Sequence, residues 1–262
     1  MGALVGLAIW WLAKGRHKSD DVADAGSSTG RTVALVFGAL LLWAVLDWPL
    51  AALGAGYLAT AQMARQIIMV MLIAPLLLFA IPASLAVRVV GTGRGLSVLR
   101  LVARPIFAVP VAAFILLVFN TPVMVDPLLK TPYGAFAMDF AWLLAGFTLW
   151  MPVQCPHPAV RRLEGPAAMV YLIGQSIVPI LPGFFMTWSD FPIYSTYEFA
   201  PRVFAGFDAL TDQNAAAATL QVGGMFLLWA QIAYRFLKWG HDQMEDFRPA
   251  RQTIAETQPP AS

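Results

Sequence analysis

Long apolar runs separated by short polar stretches dominate the chain. A helix needs about 20 apolar residues to cross the hydrocarbon core of a membrane. The runs therefore predict transmembrane helices at Thr32–Leu53, Gly56–Pro82, Pro105–Asn120, Gly134–Val153, Pro166–Trp188 and Ala215–Leu237. A shorter run, Ala3–Ala13, is followed by the basic residues that a signal peptide would carry before it, so we predict a first helix there.

The predicted fold is an all-α polytopic bundle of seven helices forming one domain over residues 1–240, followed by a polar, disordered cytoplasmic tail over 241–262. Composition supports a membrane protein, because 59% of the residues are hydrophobic and only 12% are charged. Soluble domains carry about 25% charged residues. The net charge of +2 gives no indication of a nucleic-acid partner.

Lysine and arginine are concentrated in alternate connections between the predicted spans. Cytoplasmic loops carry an excess of these residues, so we expect the N-terminus outside and the C-terminus inside. The opposite loops hold only Lys130 and Arg202, with Arg65 near the outer mouth of its helix. The segment 83–104 is predicted to be a basic surface helix. The residues that set this orientation are Lys14, Arg16, Lys18, Arg31, Arg88, Arg94, Arg100, Arg104, Arg161, Arg162, Arg235, Lys238, Arg248 and Arg251.

None of the three histidines, His17, His157 and His241, lies within a predicted span. A buried haem needs axial ligands that project from helices, so we expect no haem. The single cysteine, Cys155, cannot form an internal disulfide or a paired-thiol metal site. The spans contain no Ser–His, HExxH or paired-carboxylate arrangement, so we do not expect an enzyme. The motif QCPHP, which brings Cys155 close to His157, is interpreted as an ordinary loop.

Polar residues inside the predicted spans are the candidate functional residues, because ionisable groups at membrane depth are costly. Gln62 and Gln66 share a face of one helix, and Arg65 and Asp139 both lie near the outer surface. We predict an ion pair between Arg65 and Asp139, which a charge swap would test. The predicted outer-mouth polar cluster comprises Asp47, Gln62, Arg65, Gln66, Asp139, Asp212 and Gln213.

The glutamines have a simpler interpretation as interhelical hydrogen-bonding groups, each contributing on the order of 1 kcal/mol. This interpretation also covers Gln175, Gln221 and Gln231 in later spans. Pro179 and Pro182 predict a kink in the sixth helix, with a cavity at that level as the alternative.

The outer loop at residues 189–214 is rich in aromatic residues. It is predicted to be either an aromatic belt at the membrane interface or a docking surface that includes Phe191, Tyr194 and Tyr197.

Four stretches in order resemble the CtaG family of cytochrome c oxidase assembly factors, over most of residues 45–238. The stretch YLATAQMARQIIMVMLIAPLLLFAIP is similar to the family's H-M-x-x-H helix with its proline-bounded leucine run, and MDFAWLLAGFTLWMPV is similar to its G-x-x-x-W-x-P-V helix. FPIYSTY is similar to the P-x-Y-x-x-Y outer loop, and LTDQNAAA to the D-Q motif before the last helix.

The resemblance implies a non-catalytic assembly factor for a haem–copper oxidase, acting on the outer side of the bacterial inner membrane. Its expected partners are membrane lipid and oxidase subunits or another membrane complex, and copper delivery is one expected role. The family carries histidine pairs where this chain has Gln62 and Gln66, and again where it has Ala135 and Asp139. Amides and one carboxylate are poor copper ligands. A residual metal site would use Met63, Met138 and Asp139.

The loss of the histidines leaves an alternative function, which is that of a stable accessory subunit of a respiratory or related complex. A transporter is less well supported, since the chain shows no internal repeat.

Overall fold

The computed structural model describes residues 25–47, 49–178 and 180–257, and the side chains of residues 29–47, 49–178 and 180–244. The predicted first helix at Ala3–Ala13 and the residue Pro179 lie outside this part of the chain. Every regular element within it is helical, which confirms the prediction of an all-α bundle.

The helices differ widely in length, since short helices connect the long apolar ones. In chain order they are α1 (Ala25–Leu46), α2 (Leu50–Gly56), α3 (Ala59–Ala80, with a π-helical segment at Ile68–Ile73), α4 (Ala83–Val90), α5 (Arg94–Val102), α6 (Pro105–Phe119), α7 (Pro122–Leu129), α8 (Pro132–Gln154), α9 (Gly165–Gln175), α10 (Ile180–Thr187), α11 (Ser195–Glu198) and α12 (Ala209–Ala218, continued by a π-helical segment at Thr219–Gly223 and by Gly224–Thr257).

Among the described residues, five helical stretches are long and apolar enough to cross a membrane: Thr29–Leu46, Ala59–Ala80, Pro132–Gln154, Gly165–Thr187 and Ala209–Met244. A sixth span is possible if α5 and α6 are taken together, although these two helices meet at 80°. The prediction of a multi-pass membrane protein is therefore confirmed. The first of the seven predicted spans, Ala3–Ala13, falls on residues that the structure does not describe.

Three boundaries differ from the sequence prediction. The first described span ends at Leu46 rather than Leu53, and Pro49 stands at the start of the short helix α2 that follows. The basic segment 83–104 forms two helices, because Gly91 adopts a positive φ of 69° that ends α4. Beyond residue 240, where the sequence predicts disorder, α12 continues to Thr257 through residues of good helix propensity such as Met244 and Glu245.

The middle of α3 departs from regular α-helical hydrogen bonding, and neighbouring helices satisfy the groups that this frees. In the π-helical segment the amide of Ala74 donates to the carbonyl of Met69, which leaves the carbonyl of Val70 without its usual helical partner. The indole of Trp150 in α8 donates to that Val70 oxygen at 2.8 Å. Unsatisfied carbonyls cost several kcal/mol in lipid, so this contact fixes α8 against α3.

A proline creates a second free carbonyl in the same region. Pro75 has no amide hydrogen, so the Met71 carbonyl one turn earlier loses its helical donor. Gln231 of α12 donates to the Met71 oxygen at 2.8 Å, as the hydrogen-bonding interpretation of the glutamines predicts. Gly146 of α8 packs beside the same turn, where an added Cβ would lie 2.7 Å from that of Ala74. The helix α3 is thus the central element of the bundle.

The helix termini divide the bundle into two ends. The basic end carries the start of α1 and the ends of α3 and α8, together with the arginines of α4, α5 and the connection after α8. The opposite end carries the end of α1 and the starts of α3, α8 and α12, together with the loop between α10 and α12. The candidate functional residues lie at this opposite end.

Candidate functional site: a buried arginine hub

Arg65 of α3 is at the centre of the candidate site and is only 2% exposed. Its Nη2 atom donates to Oδ2 of Asp139 in α8 at 2.6 Å, forming the predicted ion pair. Its Nη1 donates to Oε1 of Gln62 at 2.7 Å, and its Nε donates to the carbonyl of Val45 in α1 at 3.1 Å. One guanidinium therefore joins three apolar helices through charge-assisted hydrogen bonds.

The short helix α2 packs directly on this group, which we call the arginine hub (Gln62, Arg65 and Asp139). Its residue Gly54 leaves no room for a side chain, because an added Cβ would lie 2.7 Å from Oε1 of Gln62 and 3.0 Å from Cδ of Arg65. The hydroxyl of Tyr197 donates to the Gly54 carbonyl at 2.7 Å. The outer loop is therefore tied to the hub through α2.

Asp212, at the start of α12, binds the N-terminus of α3. Its carboxylate accepts from the amides of Ala59 at 2.6 Å and Thr60 at 3.0 Å, and from the Thr60 hydroxyl at 2.7 Å. The residue before α3, Leu58, supplies no side-chain cap, so a carboxylate from another helix takes that role. A negative charge at this position also interacts favourably with the helix dipole.

The outer loop is held by buried side chains rather than by its own secondary structure. Gln213 accepts from the amide of Ile193 at 2.7 Å and donates to the carbonyl of Met186 at 3.0 Å. Tyr194 donates to the carbonyl of Asn120 at 2.7 Å. These contacts fasten the loop to α6 and α12.

Asp126 of α7 adds a contact that the sequence analysis did not identify. Its carboxylate accepts from the amides of Ser195 and Thr196 at 3.2 and 2.9 Å, and so caps the short helix α11. Burial acts to raise the pKa of Asp126, but hydrogen bonds from Thr196 and Ser195 outweigh it and lower the pKa below its ordinary value. The contact between Asp126 and the outer loop was not predicted, because nothing in a single sequence shows which distant segment an aspartate in a short connection contacts.

The structure brings together only part of the predicted outer-mouth cluster. Gln62, Arg65 and Asp139 are in direct contact, while Asp212 and Gln213 are buried at the same end and hold α3 and the outer loop. Gln66 is also buried, and its Oε1 atom has no hydrogen-bond partner among the described residues. Asp47 differs from the others, because it is exposed in the break after α1.

The three predicted docking residues, Phe191, Tyr194 and Tyr197, do not form one surface. Tyr194 and Tyr197 are each 2% exposed, so neither can contact a partner directly, and both act as internal anchors of the loop. Phe191 is 68% exposed and remains the member of the predicted docking set that faces outward.

The three weak metal candidates occupy positions that do not favour a metal ion. The sulfur of Met138 accepts a hydrogen bond from Gln62 at 3.1 Å, and Oδ2 of Asp139 is paired with Arg65. Met63 is completely buried in the apolar core. A guanidinium beside the carboxylate repels a second cation at short range. Within the described ranges, no group of three histidine, cysteine or carboxylate side chains is placed to hold a metal.

Cys155 and His157 lie at the basic end, away from the hub. Both are buried, and Nδ1 of His157 accepts from the amide of Ala159 at 3.2 Å. Burial raises the pKa of the Cys155 thiol, which disfavours the reactive thiolate. The interpretation of this motif as an ordinary loop agrees with that environment.

A family model described as cytochrome c oxidase caa3 assembly factor (Caa3_CtaG) matches residues 7–242, nearly the whole chain. The chain belongs to this family. The resemblance drawn from the four sequence stretches is therefore confirmed. Comparisons with curated proteins and with solved structures find no match.

Proposed function

We propose that this chain assists the assembly of a caa3-type cytochrome c oxidase. In this proposal it binds an oxidase subunit at the end of the bundle that carries the arginine hub, opposite the basic end. In this proposal it acts as a scaffold on the outer side of the bacterial inner membrane and carries out no catalytic step. The family supports the assembly role, and the arginine hub is the observation that supports the scaffold.

The hub makes the opposite end rigid. Arg65 joins α1, α3 and α8, while Asp212 and Gln213 fix α12 and the outer loop to the same region. The loop then presents aromatic side chains outward from a fixed base: Phe191 is 68% exposed, Phe199 81% and Phe204 59%. Aromatic residues on a preorganised backbone are well suited to partner binding, because little conformational freedom is lost.

The outward placement of this end rests on the distribution of basic residues. Arg88 and Arg100 of the connecting helices, and Arg161 and Arg162 after α8, all lie at the other end. Cytoplasmic loops carry such an excess, so the hub faces the outer side in this proposal.

Copper carriage by the hub is the less favoured form of the assembly role. Asp139 already pairs with Arg65, and the Met138 sulfur already accepts from Gln62. A metal ion bound to Met138 would have to displace the hydrogen bond from Gln62, and a metal ion bound to Asp139 would lie beside the positive charge of Arg65. The scaffold proposal therefore places copper on the partner rather than on this chain.

A resident accessory subunit is the second candidate. The observation that favours it is the set of anchored contacts from Tyr194 and Tyr197, which leave the outer loop little freedom to bind and release. A resident subunit and an assembly factor would differ in how much oxidase they retain, rather than in which surface they use.

Purification of tagged protein from its own membranes in mild detergent, followed by mass spectrometry, tests both candidates. Substoichiometric oxidase subunits would support the assembly factor, and a stoichiometric set with a haem spectrum would show a resident subunit. If no oxidase subunit is captured in any amount, the proposal is refuted. The double variant Phe191→Ser/Phe199→Ser should lose the oxidase subunits. Val98→Ser, which removes a 60% exposed side chain from α5 at the basic end, should keep them.

A further inference from the structure

A groove of about 480 Å³ runs between α1 and α12 at the basic end, with α3 as its floor. Its apolar lining includes Val33 and Phe37 of α1 and Leu76 and Phe79 of α3. Val33, Phe37 and Phe79 are 62%, 54% and 51% exposed, so the groove is open on the side that faces lipid. Along α1 it extends from Gly30 to Phe37, a length of about 10 Å at 1.5 Å per residue.

The groove also has a cationic side chain in its wall. Arg235 of α12 lines it together with Gln154, the last residue of α8. With its amide oriented to suit both neighbours, Gln154 donates to the Pro75 carbonyl at 3.1 Å and accepts from Nη2 of Arg235 at 2.8 Å. Within the described part of the chain, no carboxylate forms an ion pair with Arg235. Its guanidinium is thus positioned by Gln154, and the described residues provide no paired counter-charge.

A second, smaller pocket of about 70 Å³ adjoins the groove and shares Phe79 and Gln154 with it. Arg31 and Arg162 line this pocket. Three arginines therefore surround the basic mouth of the groove, while its inner part is apolar. This order of charge and apolar surface along the membrane normal matches an amphiphile with an anionic head and a hydrocarbon chain.

We propose that the groove is a binding site for one anionic phospholipid. Arg235 binds the phosphate of the headgroup, Arg162 adds positive potential at the mouth, and an acyl chain lies along Val33, Phe37 and Leu76. A guanidinium binds phosphate through two parallel hydrogen bonds, and basic pockets between membrane helices on the cytoplasmic side bind anionic headgroups. This site is separate from the arginine hub and does not depend on the proposed function.

Native mass spectrometry of the whole chain, released from nanodiscs of equal parts phosphatidylglycerol and phosphatidylcholine, tests the proposal. We expect the wild type to retain one phosphatidylglycerol in preference to phosphatidylcholine. Arg235→Gln should reduce this retention at least about fivefold. Arg100→Gln removes an exposed positive charge from α5, which does not line the groove, and should leave retention unchanged.

Val33→Trp provides a variant that keeps every charge, since it fills the groove from an exposed position. It too should lose the lipid while remaining monodisperse. A photo-reactive residue at position 33, activated in native membranes, should form an adduct with the mass of a phospholipid. Equal retention of both lipids, retention by Arg235→Gln at the wild-type level, or an adduct with a second protein chain would each overturn the proposal.

Discussion

Removal of Asp139 is the sharpest perturbation of the arginine hub. In the variant Asp139→Leu the guanidinium of Arg65 would lose its only carboxylate among the described residues, although it is 2% exposed and cannot give up its proton. Removing one partner of a buried ion pair costs about 3–5 kcal/mol, because the remaining charge is uncompensated. The hydrogen bonds to Gln62 and Val45 carry no opposite charge and offset only part of this cost.

A double-mutant cycle separates the charge effect from simple loss of packing. In the double variant Arg65→Met/Asp139→Leu neither charge remains. We therefore expect its loss of unfolding free energy to be at least about 2 kcal/mol smaller than the losses of the two single variants added together. The charge swap Arg65→Asp/Asp139→Arg should recover part of the loss. Recovery would be incomplete, since the swapped arginine cannot reach the Val45 carbonyl from the same position.

Unfolding by sodium dodecyl sulfate in mixed micelles, followed by tryptophan fluorescence, gives the measurement, and the nine tryptophans of the chain provide the signal. Gln221→Leu is the control, because it removes a single hydrogen bond to Thr187 at the surface and should cost less than about 1 kcal/mol. The reasoning about the hub is refuted if Asp139→Leu costs no more than this control, or if the two single changes are additive.

Three further predictions concern the central helix and the outer loop. Gly146→Ala should lower the free energy of unfolding by about 1–3 kcal/mol, since its new methyl group would meet a neighbouring Cβ at 2.7 Å, whereas Gly174→Ala, with nothing within 4 Å, should not. Trp150→Phe should cost about 1–3 kcal/mol by leaving a carbonyl of α3 unsatisfied, whereas Trp142→Phe should cost less, because that indole nitrogen has no partner among the described residues. Because the folded-state pKa of Asp126 is lowered, its stabilisation of the outer loop is present above the unfolded-state pKa, near 3.8, and is lost as pH falls through the folded-state value. Protection of the loop amides against hydrogen exchange, relative to the intrinsic rate at each pH, should fall over that interval, and Asp126→Asn should show low protection at every pH. Equal protection in both proteins at neutral pH would contradict this.

The apolar runs were sufficient to predict most of the bundle, because the membrane imposes one length and one composition on its spans. The apolar runs did not predict the places where a helix ends inside an apolar stretch for a local reason, such as a proline. The run through Leu53 contains no charged residue after Asp47, yet the chain breaks between α1 and α2, where Pro49 stands directly before α2. Hydropathy measures transfer to lipid and does not detect such a local break.

The ion pair between Arg65 and Asp139 could be predicted because two opposite charges near one membrane surface have few alternative partners. The role of Tyr197 could not, because an aromatic residue in a loop fits both the interface and the interior. Its burial is decided by the Gly54 carbonyl, which is 143 residues away along the chain and needs a donor. Long-range contacts of this kind have no local sequence signal.

The arginine hub explains two of the residues that stand where the resemblance places histidines, Gln62 and Asp139. The sequence resemblance places one histidine pair at Gln62 and Gln66 and the other at Ala135 and Asp139, and in the structure Gln62 and Asp139 both contact Arg65. The two helices are apposed at this level, and the Arg65 guanidinium lies between them. An arginine supplies a fixed positive charge and directed hydrogen bonds, which hold carboxylate and amide groups together without a metal. The arrangement stabilises the end of the bundle where the aromatic loop is anchored, and this favours a scaffold over a carrier of copper.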